Sequence, residues 1–465
     1  MRLDILIRGG TLLTETGPVR CDIGIRREKI AAAARGLKAP EAKVVDASGC
    51  FVLPGGVDAH THLDMPFAGT TTADDFATGS LAAVCGGTTT IIDFATQDKG
   101  RPMMAALEAW RRKADGRCVA DYGFHMAVVD LGGGRLKEMD RIAREGCPSF
   151  KFYMAYPGRL MLDDGAIFRA MLRCRENGSV VCVHAENGGI IDALIEKALA
   201  QGRTHPRWHA LTRPAQAEAE AAHRAIALAE LSGAALYVVH VSTSEAAAEI
   251  RRARERGLRV FGETCPQYLY LSDNAYESPG FEGAKFVIAP PLRPAGHQRA
   301  LWSAVREDWL QVVSTDHCSF NFKAGRGASK QMGRGDFSRI PGGSPGIETR
   351  VALMWDAVER GDLSPARFVQ LVCANPAKMF GLYPRKGCLA PGSDADIVVL
   401  VPSVKRVLSA KTHHMNVDYS PYEGRVVRGA VRDVLIRGRF ALTGFKPVGN
   451  PPRGVFLERR GPCEW

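Results

Sequence analysis

The chain has 465 residues, of which 46% are hydrophobic and 24% are charged, which is typical of a globular protein with one large domain or several. No apolar run approaches the roughly 20 residues that cross a bilayer. The net charge of +11 is spread along the chain without a long basic run, so we expect neither a membrane span nor a nucleic-acid surface.

The cysteines also indicate where the protein functions. Twelve are scattered along the chain, and none form a CxxC pair. Several lie in apolar runs, so we interpret them as reduced, packed side chains of a cytoplasmic protein. The first residues carry Asp4 and break at Gly9 and Gly10, a pattern that does not favour a secretory signal.

Both ends of the chain predict short β-strands. Residues 1–52 contain the alternating segments DILIRGGTLL, CDIGIRREKI and AKVVDASGCFVL, separated by glycine turns. Residues 386–442 show the same pattern in ADIVVLV and GRVVRGAVRDVLIRGRFAL. We therefore predict that the two ends contribute strands to one small satellite sheet beside a central domain at 53–385. The tail at 443–465 is rich in Pro, Gly and Arg and shows no core pattern of its own.

Between the two ends, strand-like apolar runs alternate with helical stretches rich in Ala, Leu and Glu. The predicted strands are 57–62, 88–94, 122–129, 150–155, 179–184, 235–241, 258–262 and 311–316. The predicted helices are 73–85, 103–115, 135–145, 164–177, 214–232, 243–256 and 297–307. Eight strands in this rhythm predict an α/β fold, a TIM (β/α)8 barrel. Two long loops, at 272–296 and 317–349, interrupt it, and loops of such length usually serve a function.

Barrel enzymes place their catalytic residues at the carboxyl ends of the strands, and a pattern of polar residues follows these positions here. The residues concerned are His60, His62, Lys151, His184, His240 and Asp316. A two-residue period places His60 and His62 on the same face of their strand, inside the barrel. Imidazole and carboxylate ligands suit zinc or a similar divalent ion.

Each of these residues also has a structural interpretation. A single histidine after a strand is commonly a hydrogen-bonded core or rim residue, and Asp316 alone could cap a helix. The shared placement at the strand ends of one barrel favours the metal site. The other histidines lack this placement, and we interpret them as structural or exposed: His125, His205, His209, His223, His297, His317, His413 and His414.

Lys151 stands in a strand of large apolar and aromatic residues, SFKFYMAY. A buried ammonium beside metal cations is costly, so we expect its pKa to fall and the amine to be neutral. A neutral amine adds carbon dioxide to form a carbamate, whose two oxygens can bridge two metal ions. The alternative is a lysine that extends to the rim of the barrel.

With these residues in view, the chain resembles the cyclic amidohydrolases, specifically the dihydropyrimidinase and hydantoinase group of the amidohydrolase superfamily. The resemblance runs over nearly the whole chain through GGVDAHTHLDMPF, GGTTTIIDF, KFYMAY, VHAEN, VVHVST, GETCPQYL, APPLR and STDHCSFN. It implies a TIM barrel with a small β-sandwich built from both termini. It implies a homotetramer, in which the tail at 443–465 contacts a neighbouring subunit. It also implies two zinc ions held by His60, His62, carboxylated Lys151, His184, His240 and Asp316.

The same resemblance implies a mechanism for opening a hydantoin or 5,6-dihydropyrimidine ring. Two metal ions roughly 3.5–4 Å apart share a hydroxide that attacks a ring amide carbonyl. One metal ion and the hydroxyl of Tyr156 stabilise the oxyanion, and Asp316 passes the proton to the departing nitrogen. The product is an N-carbamoyl amino acid. The alternative for Tyr156 is ordinary aromatic packing.

Two positions depart from the family pattern around the substrate. The family usually has Ser and Asn where this chain has Ala289 and Gly342, and it holds the ring imide there largely through backbone groups. Phe67, Tyr153 and Leu160 align with residues that line the pocket for the exocyclic substituent. They are bulky and apolar, so the resemblance implies an apolar or aromatic 5-substituent, although each could equally serve packing alone.

Other functions stay open alongside this one. Dihydroorotase-like relatives carry an arginine where this chain has Asp64, and a carboxylate there would repel an anionic ring. Another cyclic amide, such as allantoin, is a second candidate substrate. A different class is the non-catalytic scaffold, as in proteins resembling collapsin response mediators, which have lost metal ligands.

Overall fold

The computed structural model describes residues 2–67, 69–323 and 329–461. The predicted loop at 317–349 and tail at 443–465 therefore lie in part outside the described residues, as do single positions of the segments 1–52 and 53–385.

Eight parallel strands lie side by side in chain order. They are Gly56–Thr61, Thr88–Thr96, Asp121–Ala127, Ser149–Tyr153, Val180–His184, Ala235–Val238, Val260–Thr264 and Val312–Val313. A parallel bridge between Thr61 and His317 joins the two outer segments and closes the ring. The predicted TIM barrel is confirmed. The last strand is shorter than the predicted 311–316, because Asp316 adopts a left-handed backbone conformation with φ of 50°.

The helices that follow the strands match the predicted ones to within a few residues. They are Phe76–Cys85, Met103–Ala114, Arg135–Arg144, Asp164–Asn177, Ala215–Ser232, Ser244–Glu255 and Ala295–Arg306. Short polar side chains begin several of them. Asp75, Asp163 and Thr243 each accept a backbone N–H of the first turn, which satisfies a donor that the helix itself leaves unpaired.

Several helices were absent from the prediction. The largest is Gly188–Ala200, and its signal is Asn187, whose side chain accepts the backbone N–H of Ile190 at 3.1 Å. The other segments are Trp208–Leu211, Pro266–Tyr270, Arg350–Glu359, Pro365–Val369, the π-helical turn Gln370–Ala374 and Asn375–Met379. The two long loops contain short 3₁₀ turns at Asp273–Glu277, Glu282–Phe286, Ser329–Gly333 and Phe337–Arg339.

Two further sheets lie beside the barrel: one, which was not predicted from the strand pattern, contains strands of the N-terminal segment alone, and the other combines strands from both chain ends, as predicted. One sheet has the order Lys29–Ala34, Asp22–Arg26, Ile5–Arg8, Lys43–Asp46. The other has the order Lys446–Pro447, Arg439–Thr443, Val426–Ile436, Ile397–Val407, Phe51–Pro54, Thr11–Thr14, Gly17–Arg20. Buried side chains of both, including Ile23, Ile25 and Val399, share one core. The exact domain boundaries at 52, 385 and 442 stay predictions.

A buried ion network ties these sheets to the barrel. The ammonium of Lys386 lies 2.6 Å from a carboxylate oxygen of Asp121, at the start of the third barrel strand. It also lies 3.0 Å from Asp394 and 2.7 Å from Asp396, in the segment that leads into the long C-terminal strand. Lys386 and the three aspartates are buried, and further cations pair with the same carboxylates, for example Arg437 with Asp121. Together these ion pairs fix the relative position of the two parts.

The prediction that the tail has no core pattern was wrong for its last described residues. Phe456 pairs with Tyr122 on the third barrel strand, and Leu457 is fully buried. The guanidinium of Arg459 enters the amino end of the barrel and donates to Phe124 O and to Ser149 Oγ. Burial alternates along much of this segment, but its buried positions include Gly454 and Arg459, so no apolar period marks it in the sequence. The oligomer contact assigned to this tail stays a prediction.

No helix within the described ranges has both the length and the apolar character required to cross a bilayer. The eleven cysteines in these ranges are all free thiols, and most are buried.

A candidate active site at the carboxyl end of the barrel

The six predicted metal ligands come together in one cavity at the carboxyl ends of the strands. The cavity has a volume of about 100 Å³. All six line it: His60, His62, Lys151, His184, His240 and Asp316. Their strands are neighbours in a closed parallel barrel, so residues far apart in the chain meet where the strands end.

His60, His62 and Asp316 form the tightest group. The same carboxylate oxygen of Asp316 lies 3.2 Å from His60 Nε2 and 3.3 Å from His62 Nε2. One ligand atom from each residue lies within 4.8 Å of the others. Asp316 holds its position in a left-handed conformation that non-glycine residues rarely adopt. Such strain at a site is maintained only where the surroundings impose it.

Glu263 orients the imidazole ring of His60. Its carboxylate makes a short hydrogen bond with His60 Nδ1, and it also accepts Tyr237 OH at 2.9 Å and the backbone N–H of His240 at 3.2 Å. With Nδ1 occupied, Nε2 of His60 faces the cavity. A carboxylate that holds the outer nitrogen of a ligand histidine is the usual support of a metal site. Sequence reasoning missed Glu263, although the strand run GETCP carries it.

The charges around these imidazoles favour a cation. Burial disfavours a charged His60, but the carboxylates of Glu263 and Asp316 outweigh this and raise its pKa to about 9. Burial instead lowers the pKa of His62 to about 4. The pKa values of His60 and His62 shift in opposite directions because Glu263 contacts only His60.

His184 and His240 form a second group. His184 Nδ1 lies 2.9 Å from His240 Nε2. Glu186 holds the other nitrogen of His184 at 2.8 Å, and Arg213 contacts the same Glu186 oxygen at 2.8 Å. Burial by itself would raise the pKa of Glu186, but the positive charge of Arg213 outweighs this and lowers the pKa to about 2. The carboxylate therefore stays charged. Glu186 and Arg213 were also missed: Glu186 stands two residues after His184 in the run VHAEN, whereas Arg213 reaches Glu186 only in the folded chain.

Lys151 lies between the two histidine groups. Its side chain is 1% exposed, and the ammonium lies over the rings of Phe94 and Tyr153 at 4.8 and 5.3 Å from their centroids. The rim alternative is therefore wrong. Burial lowers the pKa of Lys151 to about 8. The amine is still mostly protonated at neutral pH, but its neutral fraction is far larger than that of an exposed lysine, whose pKa is about 10.4.

These donors fit divalent metal ions. The described residues provide four imidazoles, a carboxylate and an amine around one small cavity. Among the described residues, the buried atoms His62 Nδ1 and His240 Nδ1 have no hydrogen-bond partner. Buried polar atoms rarely lack a partner, so these nitrogens are free to bind a metal ion. Zinc accepts nitrogen and oxygen donors of this kind.

The predicted substrate residues line the same cavity and its entrance. Phe67, Tyr153, Tyr156, Leu160, Ala289 and Gly342 all contribute to its wall. Four of them, Phe67, Tyr156, Ala289 and Gly342, also line a wider adjoining cavity of about 400 Å³. The Tyr156 ring lies 5.3 Å from that of His184, and its backbone has φ of 67°. Tyr156 therefore stands at the junction of the two cavities.

Of the other histidines, His209 lines the wider cavity, and the rest line neither cavity. His125, for example, is buried and hydrogen-bonds Ser149 Oγ at 2.7 Å and Ala59 O at 3.0 Å, a structural role as expected. Asp64 lines neither cavity, and its carboxylate lies 4.0 Å from the ammonium of Lys113. The argument that Asp64 repels an anionic ring therefore finds no support in the structure.

Replacing Glu263 with Gln tests the support of His60. We expect affinity for zinc to fall by about 10- to 100-fold, because the amide cannot supply the negative charge that orients the imidazole. Titration of zinc against a competing chelator measures this. A matched control is Glu196→Gln on the helix Gly188–Ala200. Equal zinc affinity in the Glu263 variant and wild type would show that Glu263 does not support a metal site.

Comparison with known proteins agrees with this geometry. The model of the Amidohydrolase family matches residues 51–441. A D-hydantoinase of Streptomyces coelicolor is 54% identical over 98% of this chain and 97% of its own length. A D-hydantoinase of Geobacillus stearothermophilus is 49% identical over 98% and 96%. The crystal structure of dihydropyrimidinase from Brevibacillus agri NCHU1002 superposes with a TM-score of 0.96 at 47% identity and covers 99% of each chain. The chain belongs to the amidohydrolase family, whose members are metal-dependent.

Proposed function

We propose that the protein hydrolyses a hydantoin or 5,6-dihydropyrimidine ring to an N-carbamoyl amino acid. One observation supports this above all: six potential metal ligands and Tyr156 line a single cavity in a chain that is 54% identical to a D-hydantoinase. The small cavity suits a five- or six-membered ring, and the wider one provides space for a substituent.

The proposed metal centre uses all six residues. His60, His62, His184, His240, Asp316 and a carboxylated Lys151 would hold two divalent ions, with zinc favoured by the donor types. When bound, such a pair polarises the ring carbonyl and lowers the pKa of a water molecule. The number of ions and the modification of Lys151 are part of the proposal.

Lys151 would enter this centre as N6-carboxylysine. Its burial favours the neutral amine, which attacks carbon dioxide to form a new C–N bond and releases one proton. The product is an anion with two oxygen atoms in place of a cation. This change removes the repulsion that an ammonium would exert on bound metal ions.

Asp316 and Tyr156 would act on the substrate. Asp316 accepts the proton of the attacking water and delivers it to the ring nitrogen as the C–N bond breaks. Tyr156 donates its hydroxyl to the carbonyl oxygen as negative charge develops there. Burial raises the pKa of Tyr156, so the hydroxyl keeps its proton at neutral pH.

The ring would lie against the backbone of Ala289 and Gly342. A Cβ added at Gly342 would meet its nearest neighbour, Ala289 N, at 3.8 Å, an ordinary contact. The space that an asparagine would begin to fill is therefore open, and the ring pocket is wider than in the usual family pattern. Phe67, Tyr153 and Leu160 supply apolar surface for an aromatic or aliphatic 5-substituent.

The Tyr156→Phe variant tests the oxyanion role. We expect kcat to fall by about 10² to 10³-fold, the usual effect of losing one such donor. KM and zinc content should change little, because the ring of the side chain remains. The matched control is Tyr383→Phe, far from the cavity. If the Tyr156→Phe variant keeps the wild-type kcat, the oxyanion role is wrong and Tyr156 serves only in aromatic packing.

A substrate panel tests the proposal as a whole. The zinc-loaded protein is offered hydantoin, 5-phenylhydantoin, dihydrouracil, allantoin and dihydroorotate, and ring opening is followed by chromatography. We expect turnover of the first three. Turnover of allantoin alone would favour the second candidate. No turnover and no bound zinc would favour a scaffold.

We also propose a cytoplasmic homotetramer. The free thiols of the described cysteines fit a reducing compartment. Light scattering on the purified protein measures the subunit number directly.

A further inference from the structure

One buried lysine outside the metal centre has an unusual set of partners. Lys330, in the turn Ser329–Gly333, is 0% exposed. Its ammonium donates to three backbone carbonyls, Val287 O and Pro341 O at 2.8 Å each and Gly343 O at 2.9 Å. No carboxylate forms an ion pair with it within the described ranges. Three carbonyl dipoles and the ring of Phe320, whose centroid lies 5.9 Å from the ammonium, therefore balance a buried charge.

The three carbonyls belong to two different loops. Val287 begins the segment that leads to Ala289, and Pro341 and Gly343 flank Gly342. The loops also meet directly, since Gly343 N donates to Val287 O at 3.0 Å. Ala289 and Gly342 are two of the four residues that line both cavities. A single ammonium thus joins the two backbone segments between which the ring enters.

A buried ammonium is costly, which argues that this one is retained for a reason. Burial lowers the pKa of Lys330 to about 7. A methionine or leucine would fill the space without this cost, but it would leave Pro341 O and Gly343 O unpaired and Val287 O with Gly343 N as its remaining donor. Three donors in different directions are what an ammonium offers and what no neutral side chain supplies.

We propose that Lys330 is a positioning residue for substrate recognition, which fixes the spacing of the segments 287–290 and 341–343 around the ring. This inference rests on the proposed function for its substrate. Ala289 and Gly342 lack the side chains that the family usually offers, so the backbone carries ring recognition here and its spacing becomes more important.

The Lys330→Met variant is the main test. We expect KM for hydantoin to rise by about tenfold or more with kcat changed far less, because ring binding is lost in the ground state and the transition state alike. Zinc content should match wild type. The control Lys323→Met removes an exposed lysine nearby and should leave KM unchanged. An unchanged KM in Lys330→Met, with normal zinc content, would overturn the proposal.

Chemical rescue separates positioning from a general loss of stability. The Lys330→Ala variant leaves space for n-propylammonium, which should lower KM toward the wild-type value. Lys330→Met fills that space and should not respond. A KM in Lys330→Ala that no concentration of the amine lowers would contradict the role of the charge.

A measurement independent of catalysis keeps the two proposals distinguishable. Hydrogen–deuterium exchange of peptides covering 287–290 and 341–343 should accelerate in Lys330→Met. The reason is that Val287 O, which accepts the N–H of Gly343, is no longer held in place by Lys330. Unchanged exchange would overturn the role of Lys330 even if the wild-type protein proved inactive on every ring. If exchange is faster in Lys330→Met but the wild-type protein opens no ring, the role of Lys330 stands and the proposed function is wrong.

Discussion

The Lys151→Ala variant should lose both bound zinc and activity on the ring. The side chain is 1% exposed between the two histidine groups, and alanine has no amine there that could form the proposed carbamate. We expect the loss to exceed the roughly 10- to 100-fold that residues supporting metal ligands contribute. Zinc content by atomic absorption and initial rates on hydantoin measure the two effects together.

A short carboxylic acid makes this prediction specific. Propionate should enter the space vacated in Lys151→Ala and restore part of the zinc content and activity. Lys151→Met fills that space with an apolar chain and should stay inactive at every concentration of the acid. Lys137→Ala, an exposed lysine on the helix Arg135–Arg144, is the control for lysine loss in general. Full activity in Lys151→Ala would refute the bridging role.

The Asp316→Asn variant should show the second large effect. Asparagine has nearly the same shape, but it cannot accept a proton and lacks the charge that faces both His60 and His62. We expect kcat per bound zinc to fall by about 10² to 10⁴-fold, the range of a general acid–base residue. Expressing the rate per zinc ion separates proton transfer from metal loss.

Asp64→Asn is the matched control for this variant. Asp64 also has a left-handed backbone, with φ of 49°, but it lines neither cavity. We expect wild-type rates on hydantoin and no gain of activity on dihydroorotate. A kcat per zinc in Asp316→Asn close to wild type would exclude Asp316 as the proton carrier.

The barrel and its polar strand ends could be predicted because they depend on local periods. A strand can be recognised in the sequence when its side chains alternate every two residues and it ends on a polar residue. The run from His60 to His62 in the first strand is an example. Once the strands are ordered in a closed parallel sheet, His184 and His240 meet without further information. Lys151 was conspicuous because a charge interrupts an apolar run.

The supporting contacts could not be predicted in the same way. Glu263 and Arg213 act through side chains that only the folded chain brings together, and neither has a local signature. Lys330 follows a glycine-rich stretch with no period, yet it joins two distant loops. At Asp64, position in the sequence suggested a role beside the ring, but the residue lines neither cavity.

Diffraction from crystals of the wild-type protein grown with zinc and bicarbonate tests the central claim most directly. Data collected at the zinc absorption edge should show two anomalous peaks in the inner cavity, with density for a carboxylate continuing from Lys151 Nζ to both. An unmodified Lys151 beside a cavity without anomalous signal, under those same conditions, would contradict the account.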